Sequence, residues 1–229
     1  MTDKLTTSNK GLDGQRMRAR KRKMEKKMQF KIEHLRVPLT GIAAIIAFLS
    51  YCFTSSYWKD THQEFAEILF AFGLFFAAIA SLGRMWCSLY IAGYKDEKLI
   101  TYGPYSLCRN PLYFFSMLGV TGIGLTTKTL SFPLIFLTLF AVYYPLVIKK
   151  EELRLEAAFQ DTFRDYKKMV PAFFPKFSNF AEPEQYLVNP KIYRKHMISA
   201  VWFIWIVGVL EMIEGLKAIG VIRHLWTIF

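Results

Sequence analysis

The chain has 229 residues, 53% of them hydrophobic and 17% aromatic, with a formal net charge of +12. With a mean hydropathy of +0.21 it is too apolar for an average soluble domain, and its apolar residues come in long blocks. The three cysteines (Cys52, Cys87, Cys108) form no CxxC pair and lie in or beside those blocks, which argues against a disulfide framework or a zinc site.

In chain order, residues 1–15 read as disordered and 16–36 as a basic arm, with ten Lys or Arg against Glu25 and Glu33. No cleavable signal peptide is evident. A basic segment beside a membrane helix faces anionic lipid and sets orientation, so the arm is expected on the cytoplasmic side; nucleic-acid binding is the less favoured reading. The expected organisation is an arm over 1–36 and a multi-pass membrane domain over 37–229.

Val37 to Thr54 holds no charge over about 18 residues, close to the minimum for a span. Ile68 to Leu82 continues to Gly93, broken only by Arg84. Leu112 to Thr127 and Leu130 to Ile148 are separated by Thr127-Lys128-Thr129, which predicts a tight helical hairpin, with kinks allowed at Pro133 and Pro145. Residues 149–168 carry one apolar stripe (155, 159, 163, 166) and predict an amphipathic helix ended by Pro171. Met197 to Ile222 is the last block. No β pattern is evident. The expectation is an all-α integral membrane protein of about five transmembrane helices, with a helical hairpin and a cytoplasmic C-terminal catalytic segment. Loops 94–110 and 149–196 are basic, and 55–64 has only Lys59, so the positive-inside rule puts the first two in the cytoplasm with the N-terminus.

The glycines of GVTGIG (119–124) lie in an apolar helix after no strand, so they read as close helix packing and not as a dinucleotide fingerprint. The four histidines are scattered and have no plausible catalytic neighbour in sequence.

Two segments at the expected cytoplasmic edge carry chemistry. In GPYSLCRNPLYFF (103–115), Pro111 can open a helix, which places Arg109 and Asn110 where backbone N–H groups and a guanidinium meet an anion. Arg109 snorkelling to lipid phosphate, with Tyr105 and Tyr113 as belt residues, is the equal alternative. Glu151 and Glu152 follow an apolar helix directly; they are either a solvated face or a grip on cationic or hydroxyl groups. The hairpin brings both segments to one side of the membrane, where a pocket with both charges suits a zwitterionic cofactor. Arg84 is either a snorkelling residue or a functional charge at membrane depth.

LITYGPYSLCRNPLY (99–113), EELRL (151–155) and VPAFFP (170–175) occur in an order and spacing that resembles the isoprenylcysteine carboxyl methyltransferases and their phospholipid-methyltransferase relatives. The resemblance covers about residues 80–176. It implies an integral membrane methyltransferase that uses S-adenosylmethionine without a Rossmann domain. By position, Leu99, Ile100, Gly103 and Tyr105 would shape the adenosine side of the cofactor pocket, continued by Arg109, Asn110, Pro111 and Tyr113. Glu151 and Glu152 would hold its amino or ribose groups, and Leu155 would pack. Asn110 stands where the prenylcysteine enzymes typically have His. Asn donates a hydrogen bond but takes no proton at neutral pH, which favours an orienting role.

Methyl transfer needs alignment and exclusion of water more than acid–base help. For a carboxylate acceptor, Arg109 or Arg84 is the candidate anchor; for an amine, Glu151 or Glu152 is the available base. The acceptor is expected to be a lipid or lipidated molecule entering from the bilayer, with no metal involved. An NADPH-dependent enzyme resembling the sterol reductases, and a non-enzymatic scaffold whose arm binds anionic lipid, are the competing readings.

Overall fold

The computed structural model describes residues 41–42, 45–94, 97–223 and 225–229. The chain divides into two units, Met1–Cys52 and Phe53–Phe229. In the first, residues 45–52 are helical. The basic arm, and most of the first half of the block Val37 to Thr54, lie outside the described residues.

The second unit opens with a three-residue strand, β1 (Thr54–Ser56), and a short helix, Tyr57–Thr61. Helix Gln63–Ile91 follows; its 29 residues rise about 44 Å, more than a hydrocarbon core requires. Helix Pro111–Thr126 packs on it through small residues. A Cβ on Gly73 would come within 2.6 Å of the Thr126 nitrogen, and one on Gly122 within 2.7 Å of the Ala77 nitrogen. Only glycine permits the two backbones to cross this closely, so the GVTGIG glycines serve packing. Helix Pro190–Ala218 closes the third side, where Phe203 and Val207 pack on the fully buried Ala77 and Ala80.

The predicted hairpin is present. Helix Pro111–Thr126 turns through residues 127–130, with Lys128 at φ +59° and the Thr127 hydroxyl donating to the Gly124 carbonyl at 2.6 Å, into helix Ser131–Met169. That turn is locked to its surroundings by the Lys128–Glu67 ion pair at 2.7 Å and by the Ser56 hydroxyl on the Lys128 carbonyl. At the same end β1 pairs in parallel with β2 (Trp226–Ile228), and Glu214 pairs with Lys59 at 2.5 Å and with Lys217 at 3.4 Å.

Among the described residues three helices are long and apolar enough to cross a membrane: Gln63–Ile91, Ser131–Met169 and Pro190–Ala218; Pro111–Thr126 is apolar but shorter. Other expectations are corrected. The fold is mostly helical but not wholly so, because β1 and β2 form a small sheet. The amphipathic segment 149–168 is no separate helix: it continues the apolar block through Pro145 and breaks only at Gln160, which adopts φ +44°. The last helix begins at Pro190, seven residues before the apolar block, because Asn189 caps it by accepting from the Ile192 N–H. Residues 104–107 form one helical turn.

Candidate active site

The segment between the first two apolar helices is shaped by its glycine and prolines. Gly103 has φ +59°, where L side chains are strained, and a Cβ there would meet the Tyr90 ring at 2.4 Å. Pro104 then starts the single turn Pro104–Leu107, and Pro111 starts the next helix at its first position, where its missing N–H costs no hydrogen bond. Between them Cys108 is extended. The stretch is held from outside by the chain that follows Met169. The Arg109 N–H donates to the Pro171 carbonyl at 2.8 Å, Lys176 N–H to Leu107 at 2.9 Å, and Gly103 N–H to Ala181 at 2.8 Å.

Against this frame Arg109 and Glu152 meet. Arg109 Nε donates to Glu152 Oε1 at 2.9 Å, and its Nη1 donates to the carbonyls of Val170 at 2.6 Å and Lys167 at 3.1 Å. Both side chains are largely buried, 11% and 16% exposed. Asn110 is the N-cap residue of the Pro111 helix but makes no cap bond; its Nδ2 donates to the Ala172 carbonyl at 2.9 Å and lies 3.5 Å from Glu152 Oε1. Lys167 Nζ approaches the other carboxylate oxygen at 3.9 Å.

Arg109 therefore has a carboxylate and two carbonyls as partners before any ligand arrives. Its contacts join Glu152 to the chain that returns after Met169. Glu151 lies a third of a turn round the helix and pairs with Arg154 at 2.5 Å in an exposed i,i+3 contact. The structure does not bring it into the Arg109 cluster.

Aromatic and apolar groups complete the surroundings. Tyr113 meets Tyr144 edge to face at 5.3 Å, and Tyr144 stacks on Phe140 at 3.6 Å. Leu99 and Leu155 pack against Phe163, Tyr166 and Val170, and Ile100 is buried. The Tyr166 hydroxyl donates to the Tyr105 carbonyl at 2.5 Å. Burial pushes the Tyr105 phenol well above its ordinary range and the Cys108 thiol up to about 11, so both stay neutral. Neither can act as a base near neutral pH.

Arg84 stands apart from this cluster. Its Nη1 donates to Ser116 Oγ at 2.5 Å and its guanidinium lies 5.6 Å from the Phe203 ring centroid. It lines a cleft of about 550 Å³ that Tyr144 also borders. Sequence reasoning missed Lys167 and the carbonyls of residues 167–172 as partners of the site. Their only trace in the sequence is VPAFFP, whose prolines keep carbonyls out of helical bonding.

The phospholipid methyltransferase family model matches residues 63–162, which include the hairpin, Arg109 and Glu152. Over 193 residues the chain is 33% identical to the cobalt-zinc-cadmium resistance protein CzcN of Cupriavidus metallidurans, covering 84% of this chain and 88% of that protein. Over 179 residues it is 34% identical to the nickel-cobalt-cadmium resistance protein NccN of Alcaligenes xylosoxydans xylosoxydans, covering 78% and 83%. No solved structure matches. With this family match and relatives one-third identical over more than three quarters of the chain, the chain belongs to the phospholipid methyltransferase family.

Proposed function

We propose that the protein is a membrane methyltransferase that uses S-adenosylmethionine to methylate a lipophilic acceptor at the cytoplasmic face. The observation that carries this reading is the Arg109–Glu152 pair, with Asn110 beside the same oxygen, built where the two hairpin helices meet polar chain. The donor set fits the cofactor's chemistry. Glu152 is a carboxylate with an oxygen left for an amine or ribose hydroxyls, Asn110 offers an amide, and Tyr105 and Tyr113 offer ring faces for a purine or a sulfonium. When bound, the cofactor supplies a methyl group on a sulfonium, already a good leaving group. Leu99, Ile100 and Gly103 would wall the pocket, and Pro111 fixes the height at which the helix begins. The chain's own task is to align the acceptor and exclude water, for which the apolar layer of Leu155, Phe163 and Tyr166 is suited.

The relatives are named for metal resistance; carried to this chain, that association makes the acceptor a membrane component whose methylation accompanies tolerance of divalent cations. The test is to incubate membranes containing the protein with methyl-labelled S-adenosylmethionine and identify the labelled molecule by mass spectrometry. Label in a lipid or lipidated species, absent from membranes carrying Glu152→Ala, is the expected result. Binding of NADPH with no binding of S-adenosylmethionine or its demethylated product, measured by calorimetry, would sink the reading.

A further inference from the structure

Arg84 lies seven residues before the end of the Gln63–Ile91 helix, about 10 Å inside it along the axis. A guanidinium at that depth is costly unless its donors are used. Ser116 takes one Nη, and the Phe203 ring accepts the cation electrostatically. The Nε of Arg84, however, is buried and has no hydrogen-bond partner among the described residues. Native structures pair nearly all such atoms, so the guanidinium stands under-satisfied at the wall of a cleft that Arg84 lines.

The cleft has one electrostatic sign. Arg84 and Lys195 line it, Ser116 and Ser199 add hydroxyls, and no acidic residue among the described residues does. Its outer wall is apolar and open sideways, with Trp202 62% and Ile198 74% exposed on the Pro190–Ala218 helix, which is long and apolar enough to span a bilayer. A volume of about 550 Å³ holds a headgroup and the first part of a chain. We propose that this cleft binds the acidic headgroup of a membrane lipid, a phosphate or carboxylate gripped by Arg84 and Lys195, with its hydrocarbon lying along Trp202 and Ile198. With no carboxylate to meet an ammonium, the cleft selects a net anionic head over a zwitterionic one. Tyr144 joins the cleft to Tyr113 and so to the Asn110 end of the hairpin. The lipid held here is the methyl acceptor; that last assignment rests on the methyl-transfer reading, whereas the lipid site does not.

The test uses the full chain in a non-ionic detergent and labelled oleoyl lysophosphatidate, in the absence of S-adenosylmethionine. One saturable site per chain is expected, weakened about tenfold or more by Arg84→Gln and by the charge reversal Lys195→Glu. Lys195 is exposed, so its variant folds even where Arg84→Gln does not. Binding of the demethylated cofactor should change less than about twofold in Lys195→Glu. The proposal is overturned if monoolein or oleoyl lysophosphatidylcholine binds as tightly as the lysophosphatidate, if inorganic phosphate alone does so, or if Lys195→Glu binds as the parent does. Should lysophosphatidate bind as expected while S-adenosylmethionine does not bind at all, the methyl-transfer reading fails and the lipid site stands.

Discussion

Arg109 and Glu152 are 43 positions apart, yet their side chains are joined Nε to Oε1 at 2.9 Å. The hairpin produces this contact: it returns the chain to the level at which Pro111 began. Each residue is held on further sides, Arg109 by two carbonyls and Glu152 by Lys167. The pair is thus a joint between the hairpin and the chain that closes over it, as well as the proposed edge of the cofactor pocket.

Replacing Glu152 by Gln leaves the shape and removes the charge. Affinity for S-adenosylmethionine should fall about tenfold or more, and stability by roughly 2 kcal/mol, because a largely buried guanidinium loses its charged partner. Glu151→Gln, which disturbs the exposed pair with Arg154 and leaves the Arg109–Glu152 contact in place, should change affinity by less than about twofold. Calorimetry and thermal unfolding in detergent check both. Equal losses from the two variants would contradict the division of labour between these neighbours.

Asn110→Asp puts a second carboxylate beside Glu152 and replaces the donor that reaches the Ala172 carbonyl with an acceptor. Cofactor affinity should be near the parent value below about pH 4, where aspartate is protonated, and fall as pH rises through the carboxylate range. A flat pH profile of binding for the variant would place Asn110 outside the pocket.

Gly122→Ala drives a methyl group to 2.7 Å from the Ala77 nitrogen and the Gly73 carbonyl oxygen. Backbone on that side has nowhere to go, so a loss of about 1–3 kcal/mol is expected. Gly208→Ala meets nothing within 4 Å and should be neutral or slightly stabilising, since alanine is the better helix former. Melting temperatures of the two variants in one detergent decide the matter.

The Cys108 thiol, raised by burial to about 11, should resist alkylation by N-ethylmaleimide from pH 7 to 9 and react as pH nears 11. The unfolded chain releases this proton at lower pH than the folded one. The stability associated with the neutral thiol is therefore fully present below about pH 9 and is lost as pH rises through about 11. Peptide mapping of the labelled protein reads the first effect, and thermal unfolding against pH the second. Rapid labelling of Cys108 at pH 7.5 would contradict its burial.

Much of this architecture is legible in the residues. Thr127-Lys128-Thr129 between two apolar blocks announces the hairpin, and Gly-Pro before Arg-Asn-Pro announces the bend that sets the site. What stays hidden is carried by long-range contact. Thr54–Ser56 finds Trp226–Ile228 across nearly the whole chain, and three-residue strands are too short to show a period of two. Gln160 is an ordinary helix former, so nothing local marks the break. Arg109 reads as a free cation because its carbonyl partners belong to backbone, which sequence does not distinguish. Hydrophobicity alone marks apolar blocks but not how far each helix runs: Pro111–Thr126 has 16 residues, fewer than the three helices long enough to span.

Contacts on both sides of the break at Gln160 also set what the protein tolerates in length. Between Ser131 and Glu152 the helix is continuous, so adding one residue there rotates Glu152 by about 100° and lifts it about 1.5 Å, turning it away from Arg109. Beyond Gln160 the helix takes a new direction and is held there by the buried Phe163 and Tyr166. Insertions and deletions in the Ser131–Glu152 stretch should therefore be excluded, whole turns included, since a turn keeps the direction but shifts Glu152 by about 5.4 Å. Past the break length is constrained as well, because an added residue would carry the Lys167 and Val170 carbonyls off Arg109 and Phe163 out of its buried place.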